Sequence, residues 1–141
     1  MEQQPGSAAP PETPATWVGS MARVQLTVTD ADTAQAMGSG DVPVLGTPRV
    51  LALAEAATVA ATASKLPPGA TTVGTRVELD HRAATPVGRT VVAEARLSKV
   101  DGRRLTFEVS VHDGTEVVAD GRVERALVDR HRFVERAFGQ P

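Results

Sequence analysis

The chain has 141 residues, enough for one domain with one real core, and a formal net charge of −2, which gives no reason to expect nucleic acid or an anionic membrane as a partner. It has no cysteine, which excludes disulfides, thiolate metal sites and a cysteine nucleophile. No apolar run is long enough to span a membrane and no signal-peptide pattern opens the chain, so a soluble cytoplasmic protein is expected.

Residues Met1 to Thr16 are rich in Pro, Gln, Ser, Ala and Glu and are expected to form a disordered tail, with the folded domain over 17–141. Met21 to Thr29 alternates, with Val24, Leu26 and Val28 on one side, and predicts a strand. Asp30 to Met37 predicts a short helical turn, and Gly38 to Gly46 a loop punctuated by Gly and Pro. Thr47 to Lys65, TPRVLALAEAATVAATASK, predicts one helix, with Thr47 as N-cap and Pro48 at the first helical position. From Val50 to Ser64 only Glu55 ionises, so this helix is expected to be buried nearly all round by a sheet that its alanines let approach closely. A lone carboxylate on such a helix is costly to bury unless something uses it.

Leu66-Pro67-Pro68-Gly69 ends the helix. Four strands follow: Thr71 to His81, Val91 to Val100, Arg103 to His112 and Glu116 to Val128. Asp101-Gly102 and Asp113-Gly114 are hairpin turns, and Ala83 to Gly88 is a loop. Arg130 to Phe138 predicts a final helix. With aromatics limited to Trp17, Phe107, Phe133 and Phe138, the core must be built from Val, Leu and Ala. The order strand, helix, four antiparallel strands gives an α+β fold with a long sheet curled around one helix; a cystatin-like sheet would also fit.

Strand parity locates polar residues on apolar faces. Val73, Thr75, Val77, Leu79 and His81 share the side that should meet the helix, opposite Gly74, Arg76, Glu78 and Asp80. Arg125 shares a side with Val117, Ala119, Gly121, Val123 and Leu127. His112 lies on a polar face and His131 in the final helix, both expected to be solvated. Each intruder also has a plain reading: His81 as a hydrogen-bonded boundary residue, Glu55 as an exposed helix position, Thr47 as only a cap, Arg125 as an ion-paired or snorkelling side chain. If Glu55 and His81 converge on one helix–sheet cleft, they offer a general base and a proton-handling partner. Thr47 and Glu55 stand eight residues apart, about 12 Å along a helix. They share a site only if Thr47 turns inward or a second subunit completes it.

The segments VGTRVELDHRAATPVG, AEARLSKVDGRRLTFEVSVHDG and GRVERALV resemble the fluoroacetyl-CoA thioesterase family of hot-dog-fold proteins. The resemblance runs from about Val42 to Phe133, without a gap from Gly74 onward. It implies a hot-dog fold, a curved antiparallel sheet around a long central helix, that works as a homodimer or a dimer of dimers with the pocket at the subunit boundary. It also implies a catalytic set of Thr47, Glu55 and His81, with Gly74 lining the acyl pocket and Arg125 on a family arginine position. Gly38 to Val44 holds no phenylalanine where the fluoroacetyl-specific enzyme has a phenylalanine lid. The implied chemistry is therefore thioester hydrolysis without implied fluoroacetyl selectivity.

The expected activity is release of a carboxylic acid from an acyl-CoA or acyl-carrier-protein substrate, with no metal or other cofactor. Glu55 is the candidate attacking carboxylate or water-activating base. His81 would position and deprotonate water or hydrogen-bond the carbonyl, and Thr47 would orient Glu55 or donate to the acyl group. Backbone N–H groups at the helix start are candidate oxyanion donors. Two alternatives use the same fold: a non-catalytic acyl-thioester binder, and a dehydratase or hydratase, for which the helix start lacks the acidic-and-His pair.

Overall fold

The computed structural model describes residues 12–139. Five strands, β1 (Met21–Thr27), β2 (Ala70–His81), β3 (Thr90–Asp101), β4 (Arg104–Asp113) and β5 (Glu116–Asp129), form one antiparallel sheet in the order β1-β3-β4-β5-β2. A short helix α1 (Ala34–Met37) precedes the central α2 (Thr47–Thr62), which a 3₁₀ turn (Ala63–Lys65) prolongs; α3 (Arg130–Gly139) follows β5. The expected elements are all found, with ends that differ by one or two residues, as frayed termini do. Gly102 and Gly114 take φ of +63° and +62°, the left-handed backbone these tight hairpin turns require.

The core lies between α2 and the sheet. Val50, Leu53, Ala54, Ala57, Thr58, Ala61 and Thr62 are the buried face of α2. Of these, Val50, Leu53, Ala54, Ala57 and Ala61 belong to one cluster with Val91, Ala93, Ala95 and Leu97 of β3 and Leu105, Phe107, Val109 and Val111 of β4. Alternate residues of each strand supply that layer, as the pleat dictates. The expectation that α2 is covered all round is corrected: Ala52, Ala56, Val59 and Ala60 are exposed in the protomer. A single sheet covers one side of a helical cylinder, and no other element among the described residues covers the far side.

Bulges break simple alternation twice where it matters. The β2–β5 register shifts between Gly74 and Arg76, leaving Thr75 as the extra residue. Ala70, Thr72 and Gly74 therefore face α2 before the bulge, and Val77, Leu79 and His81 after it. The placement of Val73 and Thr75 toward the helix is corrected accordingly. In β5 a shift opposite Val111/His112 buries Val118 beside Ala119 and leaves Val117 exposed. Val123, Arg125 and Leu127 keep the inward side, as expected.

Of the expected tail, residues 1–11 lie outside the described residues. Thr13 is buried and its N–H donates to the Gly102 carbonyl at 3.0 Å, and Ala15–Trp17 forms one 3₁₀ turn that places Trp17 in the core cluster. The docked segment thus begins before the boundary at residue 17. His112 pairs with the Ser110 hydroxyl at 3.0 Å and His131 is exposed on α3. No helix among the described residues is long and apolar enough to cross a membrane.

Trp17 and Phe138 make a direct contrast, because Trp17 is 9% exposed and Phe138 86%. Trp17→Ala should lower stability by about 3 kcal/mol, as for other large-to-small core changes. Phe138→Ala should stay within about 0.5 kcal/mol in the same urea titration.

Candidate active site

The start of α2 is held by the segment before it. Gly46, not Thr47, is the N-cap residue, and its N–H donates to the Asp32 carbonyl at 2.9 Å. The Asp32 carboxylate accepts from the Thr29 N–H at 2.8 Å, the Thr29 hydroxyl at 2.9 Å and Arg49 Nε at 3.1 Å. Burial alone would raise the Asp32 pKa, but these bonds outweigh it and hold the carboxyl below its usual value. Leu45 N–H donates to the Thr85 carbonyl at 2.9 Å, and Val44 bridges to Pro86. The loop before α2 is thus stapled to the loop after β2.

That staple brings Thr47 to His81. Freed from capping, the Thr47 hydroxyl lies 2.7 Å from His81 Nδ1. His81 Nε2 is buried and has no hydrogen-bond partner among the described residues. Burial lowers the imidazole pKa from its ordinary value, opposed only by the Ala83 backbone, so the ring is neutral at pH 7. Two proton arrangements follow. Either Thr47 O–H donates to Nδ1 and Nε2 carries an N–H, or Nδ1–H donates to Thr47 and Nε2 offers a lone pair.

A second cluster forms midway along α2. Arg125 Nη1 donates to Glu55 Oε2 at 3.0 Å, Nε to the Thr72 hydroxyl at 3.0 Å and Nη2 to the Thr72 carbonyl at 2.9 Å. Arg125 is 6% exposed, and burial pulls its pKa down against the opposing pull of Glu55. The Glu55 side chain keeps about a third of its surface open, 32%. Gly74 sits against this pair: a Cβ there would overlap Glu55 Oε2. The strand bulge is what turns Gly74 inward, and the missing side chain is what lets the carboxylate reach the sheet.

The five expected site residues therefore fall into two groups, Thr47 with His81 and Glu55 with Gly74 and Arg125. Within one protomer no hydrogen bond joins the groups among the described residues. Eight helical residues separate Thr47 from Glu55, about 12 Å of rise. Thr72 is a site member that the sequence reading missed; its only signal is that it shares parity with Gly74. No group of three or more His, Asp or Glu side chains among the described residues is placed to hold a metal ion.

Gly74→Ala should separate Glu55 from Arg125 and cost on the order of 1–3 kcal/mol, the range for overpacking. Thermal denaturation and a crystal structure of the variant check this; wild-type stability with the ion pair intact would contradict it.

The chain resembles known proteins over most of this architecture. The model of the fluoroacetyl-CoA-specific thioesterase family matches residues 28–131. The fluoroacetyl-CoA thioesterase of Streptantibioticus cattleyicolor is 42% identical over 90 residues, 64% of this chain and 65% of that protein, just under two thirds of the relative's length. The solved structure of the fluoroacetyl-CoA thioesterase FlK superposes with a TM-score of 0.81 at 32% identity, over 88% of this chain and 96% of that one. A hot-dog-like protein from Thermanaerovibrio acidaminovorans superposes with a TM-score of 0.79 at 25% identity, over 86% and 90% of the two chains. The antiparallel sheet packed on α2 is thus a hot-dog fold, and the chain belongs to the fluoroacetyl-CoA-specific thioesterase family.

Proposed function

We propose that the protein hydrolyses an acyl-CoA thioester to the free acid and coenzyme A, using Glu55, His81 and Thr47. Family membership supports the reaction class. The observation that carries the assignment of residues is the Thr47–His81 pair, whose buried Nε2 has no partner among the described residues. An unpaired buried nitrogen is costly unless a ligand or reacting water meets it.

Two protein groups divide the work. Glu55 either attacks the thioester carbonyl, giving a mixed anhydride that water then opens, or takes the proton of a water that attacks directly; both routes release the thiolate, which leaves as the thiol once protonated. Arg125 fixes the Glu55 carboxylate, and Gly74 leaves room beside it for the acyl carbon. Neutral His81 acts at Nε2, donating to the carbonyl oxygen as negative charge develops there or accepting a proton from water, according to which way Thr47 points its hydroxyl hydrogen.

The separation of the two clusters supports a site shared by two protomers related by a two-fold axis, Glu55 from one and Thr47–His81 from the other. The exposed stripe of Ala52, Ala56, Val59 and Ala60 leaves α2 open to a partner on that side. A soluble cytoplasmic homodimer is the form in which we place this activity.

Three measurements test the proposal. Glu55→Gln should lower kcat on the order of 10²-fold or more with little change in KM, in a thiol-release assay on a good acyl-CoA. Unchanged turnover in the folded variant would end the catalytic assignment, and intact acyl-CoA retained by the wild type over hours would favour a binding protein. Mixing inactive Glu55→Gln with inactive His81→Ala should restore about a quarter of wild-type activity, because half of the dimers are mixed and each holds one complete site; no recovery would place each site within one protomer. In wild-type protein, kcat/KM should be flat above pH 7 and fall as acid protonates His81, with the midpoint below the ordinary imidazole value of 6.5. A midpoint above 7 would show that the imidazole is not held neutral.

A further inference from the structure

We infer that a cavity beneath α3 binds the phosphorylated nucleotide end of the acyl-CoA. The inference rests on the thioesterase reading and gives it a second binding determinant, one that separates coenzyme A from a carrier protein. The cavity measures about 280 Å³ and is lined by Arg103 from the β3–β4 turn, by Val128, and by Arg132, Phe133, Arg136 and Ala137 of α3. The match to the family model ends at residue 131, in the first turn of α3 (Arg130–Gly139).

Two cations of the lining have no carboxylate partner among the described residues. Arg23, Arg49, Arg76, Arg82, Arg89, Arg122 and Arg125 each pair with a carboxylate. Arg96, Arg103, Arg104, Arg130 and Arg136 pair with none among the described residues, and of these Arg103 and Arg136 face the cavity. The one carboxylate in the lining, Asp129, is already engaged, accepting the Arg132 backbone N–H at 2.9 Å at the start of α3. Guanidinium groups match phosphate oxygens in a two-pronged geometry. Phe133, 45% exposed, offers a ring face on which a base can stack, and Val128 and Ala137 complete an apolar wall. A concave volume of this size suits an adenine or a ribose phosphate, whereas an acidic protein surface would need a flatter and wider basic face.

The position suits a tethered ligand. Asp129 follows Arg125 by four residues on β5, about 13 Å along the strand. Val128 points to the opposite side of β5 from Arg125. The pantetheine arm would therefore turn around the end of the sheet near Gly69, whose carbonyl receives the Arg130 N–H at 2.8 Å. An extended, flexible arm can make that turn while the thioester lies at Glu55.

The test compares one acyl group carried on coenzyme A and on pantetheine alone. In the Arg103→Gln/Arg136→Gln double variant, KM for the acyl-CoA should rise on the order of tenfold or more, the scale of lost charge-assisted phosphate contacts, while kcat and the KM for the acyl-pantetheine hold. Arg136→Lys should recover part of the loss. Equal shifts on both substrates would show a structural role, and no shift on either would show an unused cavity; both overturn the inference. A loss confined to an acyl-carrier-protein substrate would overturn it in favour of protein docking. Titration of wild-type and variant protein with the free adenosine bisphosphate fragment of coenzyme A, followed by calorimetry with Tm in parallel, decides the matter even if no thioester is hydrolysed. Binding that is lost in the variant at unchanged Tm supports the site, and absence of binding to the wild type removes it.

Discussion

The ion pair between Glu55 and Arg125 is the constraint around which the helix–sheet interface is built. A carboxylate on a helix packed against a sheet, and an arginine on the inward face of a central strand, are each costly to desolvate. Closing them on one another across the interface, at 3.0 Å, makes both tolerable. The closure has geometric requirements: a residue without Cβ at Gly74, and acceptors on Thr72 for the remaining guanidinium N–H groups. Because both come from β2, the partner strand of β5, the pair also fixes the register of that edge against α2. Buried ion pairs seldom add stability relative to apolar packing. Their retention here agrees with a carboxylate kept for chemistry at a position where leucine or alanine would pack more cheaply.

The second cluster is organised differently. Thr47 and His81 meet because two loops are tied together, by the Leu45–Thr85 backbone bond and the Val44–Pro86 bridge. The Asp32 carboxylate holds Arg49 of the first helical turn, and its carbonyl holds the cap residue Gly46. The helix N-terminus is thereby anchored on the N-terminal side of the chain, while the middle of the helix is anchored on β2 and β5. One rigid helix carries both halves of the candidate machinery at a fixed spacing. Rigid placement of groups that cannot touch within a protomer is what a site assembled between two copies requires.

The β2 bulge reconciles two readings that conflict on the sequence. Strict alternation puts Gly74 and His81 on opposite sides, while the family resemblance assigns both to the site. One extra residue at Thr75 flips the alternation between them and turns both toward α2. Bulges are set by local backbone geometry and cross-strand pairing, and they leave little trace in a hydrophobic pattern. Thr72 went unseen for the same reason: before the bulge it belongs to the inward set, although the residues after it suggest otherwise.

The sequence by itself determined the order and kind of the elements, the central helix with its single carboxylate, and the inward position of Arg125, because apolar periodicity, glycine turns and proline breaks are local signals. It determined the family too, through blocks such as HRAATPVG that long-range packing does not alter. Only the tertiary structure decided what caps α2, which face of it the sheet covers, where Thr13 docks, and which side chains of β2 reach the helix. Each of these depends on contacts between residues far apart in the chain. Thr47 reads as a cap until a histidine 34 positions away takes its hydroxyl, and a helix apolar on every side does not say which side a single sheet will cover.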